Sequence, residues 1–500
     1  MVSKAIAKRL SQSWRGWLMA GLGLLALLFL DAIVNLEAER LWFAEVNYLE
    51  LFWVRLRSQL VLGIVPIVLT LAFTWGNLTQ ADRAKSLDAP GDRMARTRSL
   101  GLSGLLVVGA TLSFLVGVQL IYQGQIARDF WQQTATLYDA STPLPLWPRL
   151  QLFDVIGQIF ITQPWLIVAL GISTVAFLIY PRQLGRLAAA LMSLGYGLIL
   201  AKQWPSMLLA LNPVPYDQVE PIFKRDIAFY IFRLPVLHLV EFWVVGTLFF
   251  TLVSVYLVYL LANNTLSQGR FYGFSPPQQR HLYTLAGLLF LATSFSHWLG
   301  RYEVLFSREG VVYGAGYTHI HVQLPANWIL AIVTLILGLI FLLRGRLGAR
   351  GYINPMRKSA RPNALPPVQD AALGWWAGLG RTSLLVKGIC GYLVLTVLGL
   401  VLAPMVVQRL VVQPNELQRE RPYIVNSIAL TRSAFDLEAI ESEPFDPSGD
   451  LTAEDLEEND LTLENIRLWD SRPLLDSNRQ LQQIRLYYEF KDCLLYTSDA

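Results

Sequence analysis

Cysteine is nearly missing from this chain: 500 residues contain two, Cys390 inside an apolar run and Cys493 near the end. That pair makes no disulfide framework. Charge is scarce as well, at 16% of residues against 54% hydrophobic, which excludes an ordinary soluble globular domain. No dense basic face with interleaved aromatics is present, which excludes nucleic acid as a partner. Gly310, Gly314 and Gly316 lack the Lys-Ser/Thr ending of a phosphate-binding loop and read as turn glycines. The acidic stretch 436–460 lacks the regular oxygen spacing of an EF-hand and reads as a solvated linker. No small-x-small cleavage site precedes the acidic "NLEAER". The first apolar stretch therefore reads as a retained membrane helix, not a signal peptide.

Long apolar runs are what the chain has instead. They fall near 14–34, 59–77, 100–121, 162–180, 186–203, 238–260, 282–299, 326–344 and 383–408. Each is close to the roughly 20 residues that cross the hydrocarbon as a helix. The run at 186–203 is the weakest, being rich in small residues and joined to its predecessor by a short "PRQLG". Loop charge argues for counting it. Basic residues gather at the amino terminus (Lys4, Lys8, Arg9, Arg15) and after the second run (Arg83, Lys85, Arg93, Arg96, Arg98). They recur after the fourth (Arg182, Arg186), the sixth (Arg270, Arg280) and, most densely, the eighth (Arg344, Arg346, Arg350, Arg357, Lys358, Arg361, Arg381). The intervening loops are more acidic or mixed, a positive-inside pattern with the amino terminus cytoplasmic and residues after about 409 extracytoplasmic. The expected fold is an all-α polytopic membrane protein with about nine transmembrane helices over residues 1–408. The start of an extracytoplasmic mixed α/β domain is expected at 409–490, with "IRLYYEF" as a strand. No internal duplication is visible, so pattern does not support an inverted-repeat transporter.

Several blocks are unusual enough to identify relatives: "WFAEVNYLELFW", "PIFKRDIAFYIFRLPVL", "GVVYGAGYTHIHVQLP", "QPNELQRERPYIVNSIALTRSAF" and "ENIRLWDSRPLLDSNRQLQQIRLYYEF". In these the chain resembles the bacterial multi-pass membrane proteins grouped as uncharacterised protein family 0182. The resemblance implies a membrane-embedded amino-terminal half in the bacterial cell membrane, followed by a large extracytoplasmic region. It brings no assigned activity. It also ends before "KDCLLYTSDA", so residues 491–500 read as an aberrant or misread tail, and no function is placed on Cys493.

Histidine occurs five times, and four copies fall toward one membrane face: His238, His297, His319 and His321. With Glu241, one turn from His238, and Glu303, these are the candidate functional residues, because imidazole with carboxylate suits a borderline metal. Thr-His-Ile-His has no recognised zinc spacing, and a hydrogen-bonded structural loop is the plainer reading. No catalytic residue and no cofactor are expected. Lys224, Arg225 and Arg233 are candidate interface residues that would pair with Asp226 and lipid phosphates. Membrane lipids are the expected contacts, with an envelope component or protein as a further partner. Three functional classes stay open: an envelope-associated binding or scaffold protein, a transporter or channel, and a membrane enzyme acting on a lipid-linked substrate.

Overall fold

The computed structural model describes residues 23, 30–31, 33–84, 100–131, 143–148, 157, 160–261, 270–271, 274–307, 313–347, 384–441, 443–444, 449 and 452–464. Two compact units are present, Met1–Leu430 and Thr431–Ala500. Among the described residues of the first, the main helices are α1 (Leu49–Ala84), α2 (Leu102–Trp131), α3 (Trp165–Ile179) and α4 (Pro181–Lys202). They are followed by the short α5 (Trp204–Leu211), α6 (Leu234–Leu260), α7 (Pro276–Glu303), α8 (Leu324–Leu347) and α9 (Leu384–Val397). After α9 come α10 (Ala403–Val407) and α11 (Glu416–Ala434). Buried aromatic side chains on neighbouring helices, Tyr196, Phe242, Phe250, Phe290, Phe341 and Tyr392, form the centre of the packing.

The expected fold class needs correction in both its parts. Seven helices among the described residues, not nine, are long and apolar enough to cross a membrane. These spans are Leu49–Ala84, Leu102–Phe130, Pro181–Lys202, Phe229–Leu260, Pro276–Phe306, His319–Arg346 and Val386–Ala434. The fourth apolar run yields only the 15-residue α3. At 1.5 Å per residue it rises roughly 22 Å, short of a roughly 30 Å hydrocarbon layer. Its end has a local cause: Tyr180 precedes Pro181, and a residue before proline is pushed out of the helical region, here to φ −122° and ψ 55°. The first run, near 14–34, lies largely outside the described residues. The run at 186–203, weakest by composition, is a full span.

The second correction concerns the mixed α/β domain expected beyond residue 409. The described residues there form helices and turns and no strand. Strand structure among the described residues is confined to one antiparallel pair, Leu100–Gly101 with Arg270–Phe271. The strand-like stretch at 484–490 lies outside the described residues. In the second unit, Thr452 caps the short helix α12 (Ala453–Glu458): its hydroxyl accepts the Asp455 N–H at 3.2 Å. Helix α13 (Asp460–Glu464) comes next.

Proline sets where the helices widen. Four π-turns are described, at Phe229–Arg233, His319–Gln323, Leu398–Leu402 and Gln408–Val412. Each ends two residues before a proline: Pro235, Pro325, Pro404 and Pro414. A proline has no N–H, and its ring presses on the carbonyl four residues back. In all four cases the residue before the proline donates its N–H five residues back instead, as Leu234 does to Phe229 and Leu324 to His319. Such turns recur at functional sites, and the first two open the spans that carry His238 and the pair His319 and His321.

Alternating helix directions give the first unit two chemically different ends. At one, Asp82 holds Arg182 at 3.1 Å and Arg186 at 2.6 Å, and Gln278 donates to the Ala84 carbonyl at 3.0 Å. Arg344 and Arg346 reach this end because α7 and α8 cross closely. A Cβ added at Gly287 would lie 3.0 Å from the Gly338 carbonyl, and one at Gly338 would lie 3.0 Å from that of Gly287. The other end carries the start of α6, the end of α7 and the start of α8.

Candidate functional site

At the head of α6, His238 and Glu241 are one turn apart and face the last residue of α7, Glu303. His238 Nδ1 lies 2.9 Å from Glu241 Oε2, and Nε2 lies 3.6 Å from Glu303 Oε1. His238 and Glu241 are buried, at 5% and 1% exposure, while Glu303 is half-buried. One ligand atom from each of the three lies within 4.8 Å of the others. Histidine nitrogen and carboxylate oxygen together form a donor set for a borderline divalent ion.

The other candidate histidines stand elsewhere. His297, deeper in α7, is buried with Nε2 2.8 Å from the Tyr392 hydroxyl and Nδ1 3.3 Å from Asn327 Oδ1. These are neutral partners on two other spans, and they make His297 a polar bolt between helices. His319 and His321 lie in the second π-turn, so their rings diverge. His319 is buried and its Nδ1 accepts the Gly316 N–H at 3.1 Å. His321 is exposed and packs on the Tyr317 ring at 4.3 Å between centroids.

Around His319 the chain forms a clamp with a residue 103 positions away. Both carboxylate oxygens of the buried Glu420 accept the Tyr317 N–H, at 3.1 and 3.0 Å. Thr318 donates its hydroxyl to Gln408 Oε1, and Arg419 lies over the Tyr317 ring at 5.2 Å. Gly316 leaves room for the approach, since a Cβ there would stand 2.8 Å from Glu420 Oε2 and the carboxylate would have to shift. Sequence reading missed Glu420, Gln408, Tyr392 and Asn327. No local pattern marks them, since each acts on a distant segment.

The basic segment before α6 is a self-stapled loop. The Glu220 carboxylate accepts the N–H groups of Ile222 and Phe223 at 2.7 and 2.6 Å. Asp226 accepts those of Ala228, Tyr216 and Asp217 at 2.7, 3.2 and 3.1 Å. The bond from Ala228, opposed by partial burial and reinforced by the other two, holds the Asp226 carboxyl below its ordinary range. Its carboxylate is thus engaged by backbone amides. Arg225 lies over the rings of Phe229 and Tyr302, at 4.5 and 5.4 Å, while Lys224 and Arg233 are exposed.

The family model described as Uncharacterised protein family (UPF0182) matches residues 16–495. A UPF0182 protein of Nostoc sp. is 38% identical over 95% of this chain and 48% of its own length. One from Microcystis aeruginosa is 37% identical over 93% and 48%, and one from Trichodesmium erythraeum 35% over 91% and 47%. The chain spans about half the length of the curated relatives it matches. No solved structure matches it.

Proposed function

Because the chain belongs to UPF0182, a family of uncharacterised bacterial multi-pass membrane proteins, we propose an envelope-associated binding or scaffold role for it. The reading rests on the Glu420 clamp. Polar groups of the rim tie together chain segments far apart in sequence, which suits a platform for the more carboxyl-terminal part of the chain. The region from about 409 onward is the part presented, with an envelope component or a protein as the partner. The reading also puts the amino terminus in the cytoplasm, supported by the arginines gathered at the Asp82 end.

Photo-crosslinking in native membranes tests it. A photoreactive residue replacing the exposed Leu417 is expected to trap a discrete adduct that disappears on Glu420→Ala. The same residue at Ile172, on the apolar face of α3, should label lipid alone. Transport is the second reading, favoured by an ionisable side chain as buried as Glu241 within a span. Solute flux in vesicles, abolished by Glu241→Gln, would replace the scaffold reading with transport.

A further inference from the structure

We propose that His238 and Glu303 bind a divalent metal ion of the Zn²⁺ class directly, with Glu241 orienting the histidine ring. This assignment stands apart from the scaffold reading, because it uses neither Glu420 nor the region it presents.

The distances distinguish the two roles. At 2.9 Å, Glu241 accepts a hydrogen bond from His238 Nδ1–H and holds the tautomer whose lone pair is on Nε2. A carboxylate behind a metal-ligating imidazole is the usual outer support of such a ligand. On the other side, Nε2 and Glu303 Oε1 are 3.6 Å apart. That is long for a hydrogen bond between them. It suits two ligands of one tetrahedral ion, whose donor atoms stand about 3.4 Å apart when each bond is about 2.1 Å. Water fills the remaining positions, reaching the ion past the half-buried Glu303.

Burial and placement support the same assignment. Two of the three groups, His238 and Glu241, are buried, and imidazole nitrogen with carboxylate oxygen is a donor set that a borderline divalent ion accepts. Arg301, two residues before Glu303, points to another face of α7, about 200° around the helix. There it is held against the rings of Trp298, Tyr302 and Trp328, at 5.2, 5.3 and 4.0 Å. The π-turn at Phe229–Arg233 fixes the entry of α6, and with it the position of His238.

The test is calorimetric titration of Zn²⁺ into the chelator-treated, purified chain in detergent micelles, with Co²⁺ substitution as an optical readout. One saturable ion per chain is expected, giving the intense visible bands of a four-coordinate Co²⁺ site. His238→Ala and the isosteric Glu303→Gln should each weaken binding at least tenfold. Glu241→Gln should weaken it about 10–100-fold while leaving the Co²⁺ spectrum recognisable. His319→Ala and His321→Ala should change nothing. Thermal unfolding without metal checks that each variant is folded. Absence of saturable binding by the folded wild-type chain would overturn the proposal, as would unchanged affinity in folded Glu303→Gln.

Discussion

His281 and His238 are both buried imidazoles at helix ends, yet their surroundings are opposite. His281, near the start of α7, is held between the Tyr259 hydroxyl and Asn77 Oδ1, each at 2.8 Å. His238, at the other end of the bundle, is held between two carboxylates. Neutral partners use both ring nitrogens and leave no charge to balance, so His281 is explained completely as a bolt between three helices. Carboxylates on both sides place oxygen donors beside the imidazole nitrogens, a grouping that suits a borderline divalent ion. Burial of a histidine therefore says little about its role; the chemistry of its two partners decides it. His297, with Tyr392 and Asn327, falls on the structural side of that division.

The largest expected effect tests the structural end. His281→Ala leaves the buried Tyr259 hydroxyl and Asn77 without their shared partner and should cost about 2–4 kcal/mol. Urea unfolding in micelles measures it, and the loss should be the same with and without Zn²⁺. A Zn²⁺-sensitive loss would erase the distinction between the two histidines.

Next is the clamp at the opposite end. Glu420→Ala should destabilise by about 1–3 kcal/mol, by removing the acceptor of the Tyr317 N–H. Gly316→Ala should act through the same contact, since its Cβ would displace the Glu420 carboxylate. The double variant should then cost clearly less than the two single losses added together. Full additivity in the double-mutant cycle would show that glycine and glutamate act separately.

The smallest effect is one of pH. Asp226 has a folded-state pKa below its ordinary value of 3.8, so its contribution to the 216–228 loop is complete above that value. It is lost as pH falls through the lowered folded value, because the neutral carboxyl accepts the three amides less strongly. Protease nicking of this loop, followed with an acid-active protease, should rise over that window in the wild type. In Asp226→Asn it should be higher throughout and nearly flat with pH. A wild type as flat as the variant would remove the carboxylate from the loop's support.

Much of the membrane region was legible in the chain. The runs at 59–77, 238–260, 282–299 and 326–344 mark spans that the structure extends to Leu49–Ala84, Phe229–Leu260, Pro276–Phe306 and His319–Arg346. Run length does not report where a helix stops, however. The Tyr180–Pro181 junction cut the fourth run to 15 residues, while the unpromising fifth became a full span. The π-turns were legible in principle, since a proline stands after each at the same spacing, but the rule emerges only when the four are seen together.

By itself the sequence determined that this is an α-helical multi-pass membrane protein with a basic and a more acidic set of loops. Hydrophobic length and loop charge are properties of contiguous residues, and the bilayer reads them one segment at a time. Only the tertiary structure decided which histidine meets which partner. His238 meets Glu303 through the packing of α6 on α7, and Tyr317 meets Glu420 across 103 residues. Thr-His-Ile-His, the most conspicuous histidine motif in the chain, became a clamp for that reason. The solitary His238 became the candidate ligand, because its partners come from helix packing rather than from sequence neighbours.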